Sequence, residues 1–251
     1  MHYSISMIRS ILYLKILLLM FINGYAQGNP YGYNDLDEAY LTEMKAENAR
    51  LTKRIQSQPE PFQKMNTEAT YAIRNKDYAL ALQIALRMET AYPKNADVKN
   101  FKGKIQSKNG DASGAVQSFG DAVRLEPKNN WFYINKATAE AERGDIQTAL
   151  KTINTLVAQS PDWSIGYNFK AALLHSMNKD AEALTAYNDA VKVKPESAQI
   201  FTNRGDLYLK SGQKDKAVQD YKAALAIQPD YERAQANLNE IAQSTVSKKD
   251  R

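Results

Sequence analysis

Beyond residue 26 the chain carries one histidine, His175, and no cysteine. A Ser/His/Asp triad needs a base beside a nucleophile, and zinc needs several His or Cys ligands, so one imidazole assembles neither. No partner for His175 as ligand or base is evident, and it reads as a polar surface residue. Carboxylates are plentiful but fall mainly in turns and on outer helix faces, with no Gly-rich phosphate loop and no acid pair in an apolar context. These residue types point away from an enzyme and imply no cofactor and no bound metal. The remaining chemistry is electrostatic. Lys102, Lys136, Lys170 and Arg204 form a basic ladder with a spacing of 34 residues. Such a ladder could track an acidic ligand, but its place beside small residues favours stems packed on a neighbouring helix, with heads reaching acids such as Asp121 or Asp189.

The elements that hold these residues follow from the same period. Pro93, Pro127, Pro161, Pro195 and Pro229 stand 34 residues apart without insertion or deletion. Ala81, Ala115, Ala149, Ala183 and Ala217 keep the phase, as do the small residues Ala69, Gly103, Ala137, Ala171 and Gly205. Each unit reads as helix, turn, helix, stop: Gly110, Gly144 and Gly212 supply the positive φ that ends the first helix, and the proline ends the second. Small residues belong where the two helices cross, and bulky ones such as Tyr167, Phe201, Tyr208 and Tyr221 fill the rest. The first unit has Ala85 and Met88 where the second has Phe119 and Ala122, a swap that roughly keeps core volume.

This order of aromatic, small, aromatic, Ala and Pro resembles the tetratricopeptide repeat family. The last unit resembles it best, with Phe201, Gly205, Tyr208, Gly212, Ala217, Tyr221, Ala224 and Pro229 at signature places and Arg204 where Leu is common. The resemblance covers five units, residues 62–231 (62–95, 96–129, 130–163, 164–197 and 198–231). It implies an all-α fold, a right-handed superhelical array of helix-turn-helix repeats (an α-solenoid), with the first helix of every unit along a concave groove. Residues expected on that inner face are Asn100, Lys104, Trp131, Ile134, Thr138, Ile165, Asn168, Ala172, His175, Thr202 and Asp206. Aromatic and aliphatic side chains among amides suit a peptide-binding groove. Trp131 could equally seal a joint between units, and Trp163 is expected to pack between repeats. Family members that grip a chaperone's C-terminal carboxylate use Lys, Asn and Arg at set groove positions; Asn100, Lys104 and Asn135 supply fragments of that clamp but no complete set.

The flanks have their own readings. Arg9 and Lys15 lead into the apolar run of residues 16–22, and Gly24 and Ala26 provide small side chains for cleavage before Gln27, so residues 1–26 read as a signal peptide and the mature protein as periplasmic or secreted. The alternative is an uncleaved membrane anchor, yet the stretch from Ile8 to Ile22 contains two cations and falls short of the roughly 20 residues a span requires. Without cysteine there is no lipid anchor. Cleavage takes the formal charge from +5 to +3, too mild and too evenly mixed for a nucleic-acid partner. Residues 27–61 comprise a linker and one long helix from about 34 to 57, with Asn34 as its cap and Leu41, Met44, Asn48, Leu51 and Ile55 as a seam. That seam either packs on the first repeat or supports weak self-association through residues 34–57. Residues 232–251 comprise a capping helix, with Ala234, Leu238, Ile241 and Ala242 as its apolar stripe, and a basic tail. Two functions follow from these readings: a scaffold or adaptor binding a peptide or partner protein in the groove, or a structural subunit of a cell-envelope assembly held by its outer faces and N-terminal helix.

Overall fold

The computed structural model describes residues 36–249, with side-chain surroundings to residue 243. The segment read as a signal peptide, residues 1–26, and the expected cap Asn34 lie outside the described residues. Twelve helices are described: α1 Glu38–Gln56, α2 Glu60–Arg74, α3 Tyr78–Ala91, α4 Ala96–Lys108, α5 Ala112–Leu125, α6 Asn130–Glu142, α7 Ile146–Gln159, α8 Ser164–Ser176, α9 Asp180–Val193, α10 Ala198–Lys210, α11 Lys214–Ile227 and α12 Glu232–Lys249. No strand occurs among the described residues. None of the described helices is long and apolar enough to cross a membrane.

Helix starts are set by short polar side chains. Asp77, Asn95, Asp111 and Ser197 each accept a backbone N–H from the first turn of α3, α4, α5 and α10, which satisfies one otherwise orphaned donor. The turns between paired helices sit at residues 76, 110, 144, 178 and 212, again 34 apart, and all five have φ between 60° and 90°. Glycine fills three of them; Lys76 and Asn178 fill the others.

The crossing inside each repeat explains the small-residue ladder. A Cβ on Gly103 would stand 2.7 Å from the Phe119 ring, and one on Gly205 would stand 2.8 Å from the Tyr221 ring. Ala81, Ala115, Ala149, Ala183 and Ala217 are completely buried. The volume swap of the first repeat is realised in the core, where Ala85 and Met88 are buried as fully as Phe119 and Ala122; the third repeat uses a middle solution, Ile153 with Leu156.

Two compact units are formed, one of residues 46–160 and one of residues 36–45 with 161–249. The first holds three helix pairs, α2 to α7. Its core includes Phe62, Ala69, Ile84, Met88 and Val98, with Ile55 of α1 packed on the edge and Tyr92 edge-on to Phe62. The second holds the pairs α8/α9 and α10/α11 with α12, whose Ala234 and Ile241 join Ala198, Ala217, Tyr221, Ala224 and Tyr231, while Leu238 packs on the edge. Ala242, expected in the α12 stripe, is exposed. The N-terminal helix also differs from expectation: it starts at Glu38, and its cap is Asp37, whose Oδ1 accepts from Tyr40 N at 2.8 Å.

Candidate functional site

The face of the first helices is defined by a position that recurs at the period: Asp97, Trp131, Ile165 and Gln199. Trp131 and Ile165 are among the expected groove residues; Asp97 and Gln199 are not, although the spacing of 34 leads from one to the next. Both of the missed residues make contacts that decide what covers the face.

In the first unit, Asp97 holds Arg54 of α1 through two hydrogen bonds, Nε to Oδ2 at 2.8 Å and Nη2 to Oδ1 at 3.0 Å. This fork fixes both position and orientation. Glu47, one of the buried residues of α1, accepts from Arg54 at 3.2 Å and from Arg50 at 3.3 Å. The hydrogen bond to Asp97 holds the Arg54 guanidinium well above its usual range. Lys104 lies in the same region and is 3% exposed. Burial pushes its ammonium down to about 7, against the opposing pull of Asp97 and Glu47. Asn135 Nδ2 donates to Asn100 Oδ1 at 2.8 Å, so these two clamp-like amides satisfy each other. Ile134 is buried, and Thr138 Oγ1 donates back to the Ile134 carbonyl at 2.8 Å. Trp131 is also buried.

In the second unit, the carboxylate of Asp37 is buried between the starts of α1 and α10. Its Oδ2 accepts from Ser197 Oγ at 2.5 Å and from Gln199 N at 3.1 Å. Two helix N-termini thus share one anion, the charge that their dipoles favour. Burial, with Asp37 nearby, raises the Tyr40 phenol. Beside this contact lies a cavity of about 210 Å³ whose lining includes Tyr40, Glu43, Trp163, Ile165, Asn168 and Ile200. Asn203 Nδ2 donates to Asn168 Oδ1 at 2.9 Å, the counterpart, two repeats on, of the pair in the first unit. Asn203 in turn accepts from Arg233 of α12 at 2.8 Å.

Asp206 and His175, expected as groove residues, are engaged otherwise. Asp206 is the anchor of α12: it pairs with Arg233 and accepts from Asn237 Nδ2 and Tyr221 OH, each at 2.7 Å. His175 Nδ1 stands 2.7 Å from Asp180 Oδ1, a partner five residues on that an Asp at a helix start could have signalled. Thr202 is completely buried and bonds the Ala198 carbonyl. Three of the four members of the basic ladder are structural, but with other acids than expected: Lys102 pairs with Glu89, Lys136 with Glu140 and Arg204 with Asp220. Asp121 pairs with Arg124 and Asp189 with Lys192 instead. Arg204 also lies over the rings of Phe201 and Tyr208.

Chemically, the face can hold a helix. Its polar atoms include amides, carboxylates, hydroxyls, the Lys104 ammonium and backbone N–H groups, and among the described residues no cluster of three or more His, Cys, Asp or Glu is placed to hold a metal ion. Family models of the tetratricopeptide repeat match residues 106–173, 172–212 and 198–231, together half of the chain. The chain belongs to the tetratricopeptide repeat family. It is 28% identical over 182 residues to the Hsp70-Hsp90 organizing protein of Triticum aestivum, covering 64% of this chain and 31% of that protein. It is 25% identical over 168 residues to the human protein O-mannosyl-transferase TMTC1, covering 65% of this chain and 18% of that one. The chain therefore spans less than a third of the length of either relative. Among solved structures, MamA superposes with a TM-score of 0.56 at 21% identity, covering 67% of this chain and 96% of that one. YrrB, described as a tetratricopeptide repeat protein with an unusual peptide-binding site, superposes with a TM-score of 0.53 at 19% identity, covering 68% and 88%. These likenesses establish the fold.

Proposed function

We propose that this repeat protein is an exported, non-enzymatic scaffold that binds a peptide or helical segment of a partner protein on the face of its first helices. The observation that carries this reading is the way that face holds a helix: groups at the starts of the first helices take the charged groups of α1 and its cap, by Asp97 in one unit and by Ser197 with Gln199, the counterpart of Asp97, in the other. Relatives described as chaperone organizers, and a fold neighbour described as having a peptide-binding site, support partner binding as the use of such a face. Export rests on the basic and apolar lead of residues 8–22 and the small residues before Gln27. The test is capture of partners from an envelope extract by the mature chain. Trp131→Ala and Asn168→Ala, each verified to keep its helical content, are expected to reduce capture, whereas Lys216→Ala on the exposed side of α11 leaves it unchanged. Equal loss from Lys216→Ala, or none from the two face substitutions, would reject the reading. N-terminal sequencing of the exported form should begin at Gln27; a form retaining residues 1–26 would reject cleavage.

The second reading is a structural subunit of an envelope assembly held by its outer faces and N-terminal helix. One observation favours it: Tyr71, Leu80 and Leu86 are exposed by 68%, 44% and 48%, all in the first repeat. Capture that survives both face substitutions but fails with Tyr71→Ser and Leu86→Ser would select this reading.

A further inference from the structure

We propose that the opening turns of α1, Leu36 to Met44, are an internal ligand of the last two repeats, and that the partner displacing them is a helix that opens on a carboxylate with an aromatic residue three positions on. The inference rests on the reading of the first-helix face as a partner-binding surface. It identifies both what occupies that surface in the free chain and the chemistry the surface selects.

Three observations carry it. First, α1 is not one of the paired helices of the five repeats, and one hydrophobic core cluster of the second unit holds no residue of it. That core is drawn from α10, α11, α12 and the residue before α12: Ala198, Ala217, Tyr221, Ala224, Tyr231, Ala234 and Ile241. Removing the segment would uncover a face and leave that cluster whole. Second, the contact is specific. Asp37 caps its own helix with one oxygen and takes Ser197 Oγ and Gln199 N with the other. Only a short acidic side chain at a helix cap places a carboxylate there, and a charged hydrogen-bonded group discriminates strongly against analogues that lack it. Leu36, Tyr40 and Met44 are buried alongside. Third, the fit is incomplete. The cavity of about 210 Å³ has Ala39, Tyr40 and Glu43 on one side and Trp163, Ile165, Asn168 and Ile200 on the other. A partner helix with a larger apolar side chain in place of Ala39 would fill space that α1 leaves empty, and so compete with a tethered segment despite its high local concentration.

The experiment uses the mature chain and a fluorescein-labelled peptide of residues 36–50 as the probe, read by anisotropy. The Asp37→Ala chain, whose own segment is loosened while its face is intact, is expected to bind the peptide about tenfold or more tightly than the wild-type chain, and a peptide carrying Asp37→Ala to bind that chain about tenfold or more weakly than the native peptide. Equal affinity of the two chains, or of the two peptides, overturns the proposal. Because Asp37→Ala could perturb folding, amide hydrogen exchange on the wild-type chain gives an independent readout: residues 40–45 are expected to exchange through a local opening, faster than α10 and α11. Exchange of residues 40–45 only with global unfolding overturns the proposal. The two readings fail separately. Peptide exchange as expected, with partner capture untouched by Trp131→Ala and Asn168→Ala, rejects the partner-binding reading; capture abolished by those substitutions, with no peptide binding to the Asp37→Ala chain, rejects the internal ligand.

Discussion

Inside each repeat the two helices cross at residues that obey the period: the alanines from Ala81 to Ala217 are fully buried, and Gly103 and Gly205 stand against the rings of Phe119 and Tyr221. On the face that the first helices present, one repeat position carries Asp97, Trp131, Ile165 and Gln199 in turn. Every crossing must solve the same close approach of two backbones, so the same residue types return. In each unit that face position meets a stretch of α1, which offers a cap carboxylate and Tyr40 in the second unit and Glu47 and Arg54 in the first. Variation along the face is therefore the signature of what lies on it.

The largest expected effect tests the crossing. Phe119→Ala is expected to cost about 3–5 kcal/mol in urea denaturation, because it empties a fully enclosed site. Gly103→Ala places a methyl against the same ring and is expected to cost about 1–3 kcal/mol alone. In the Phe119→Ala background that penalty should vanish or reverse, since the added methyl enters the space the ring vacated. Additive losses from the pair would show that the close approach is not what selects glycine at residue 103.

This contrast explains how much could be read in advance. The helix pairs, the turns at a spacing of 34, the small-residue ladder and the capping role of Ala234 and Ile241 are local or periodic, and all are legible in the chain. The cover on the face is not. Asp37 meets Ser197 across 160 residues and Arg54 meets Asp97 across 43, and neither α1 residue has a periodic counterpart to announce it. Asp97 and Gln199 could have been found by extending the step from Trp131 to Ile165 in both directions. The pairing of Lys102 with Glu89 rather than with Asp121 depends on which acid the lysine stem reaches, and the repeat period alone does not separate the two.

The next effect concerns the face. Asp37→Ala removes a buried carboxylate that receives three hydrogen bonds, and is expected to cost about 1.5–3 kcal/mol. The loss should be local, appearing as faster amide exchange over α1 with the denaturant slope of the repeat core unchanged. A uniform loss of protection throughout α10 and α11 would make α1 part of the core and erase the contrast.

Lys104 gives a smaller, pH-dependent effect. Its folded-state value, lowered by burial from 10.5 to about 7, means that between pH 7 and about 10 the unfolded chain binds the proton that the folded chain releases. Stability should therefore rise with pH across that window, by up to about 1.4 kcal/mol per unit, with the full penalty of burial present below pH 7. Lys104→Met keeps the length of the side chain without the charge. Compared with wild type in melts at pH 7, 8 and 9, the variant should be more stable at pH 7, with the difference shrinking as pH rises. A difference that stays constant with pH would locate the cost of Lys104 in packing rather than ionisation.

The smallest effect returns to the period, at the one turn where it is broken by a side chain poorly suited to the backbone. Residues 76, 110, 144, 178 and 212 all hold positive φ, and glycine adopts this at three of them without steric penalty. Lys76, at φ 60°, brings its Cβ toward the following carbonyl, which costs about 1–2 kcal/mol for an ordinary residue. Glycine in its place would relieve that contact but add roughly 0.5–1 kcal/mol of backbone freedom to the unfolded chain. Lys76→Gly is therefore expected to stabilise by up to about 1 kcal/mol, seen as a rise in the urea midpoint with the slope unchanged. Asn178 has the same φ, but its short amide tolerates the left-handed region, so Asn178→Gly should gain less than Lys76→Gly or nothing. Equal gains at both positions would mean that the side chain at this turn is selected by something other than backbone strain. A loss at residue 76 would show that Lys76 makes a contact worth more than the strain it brings.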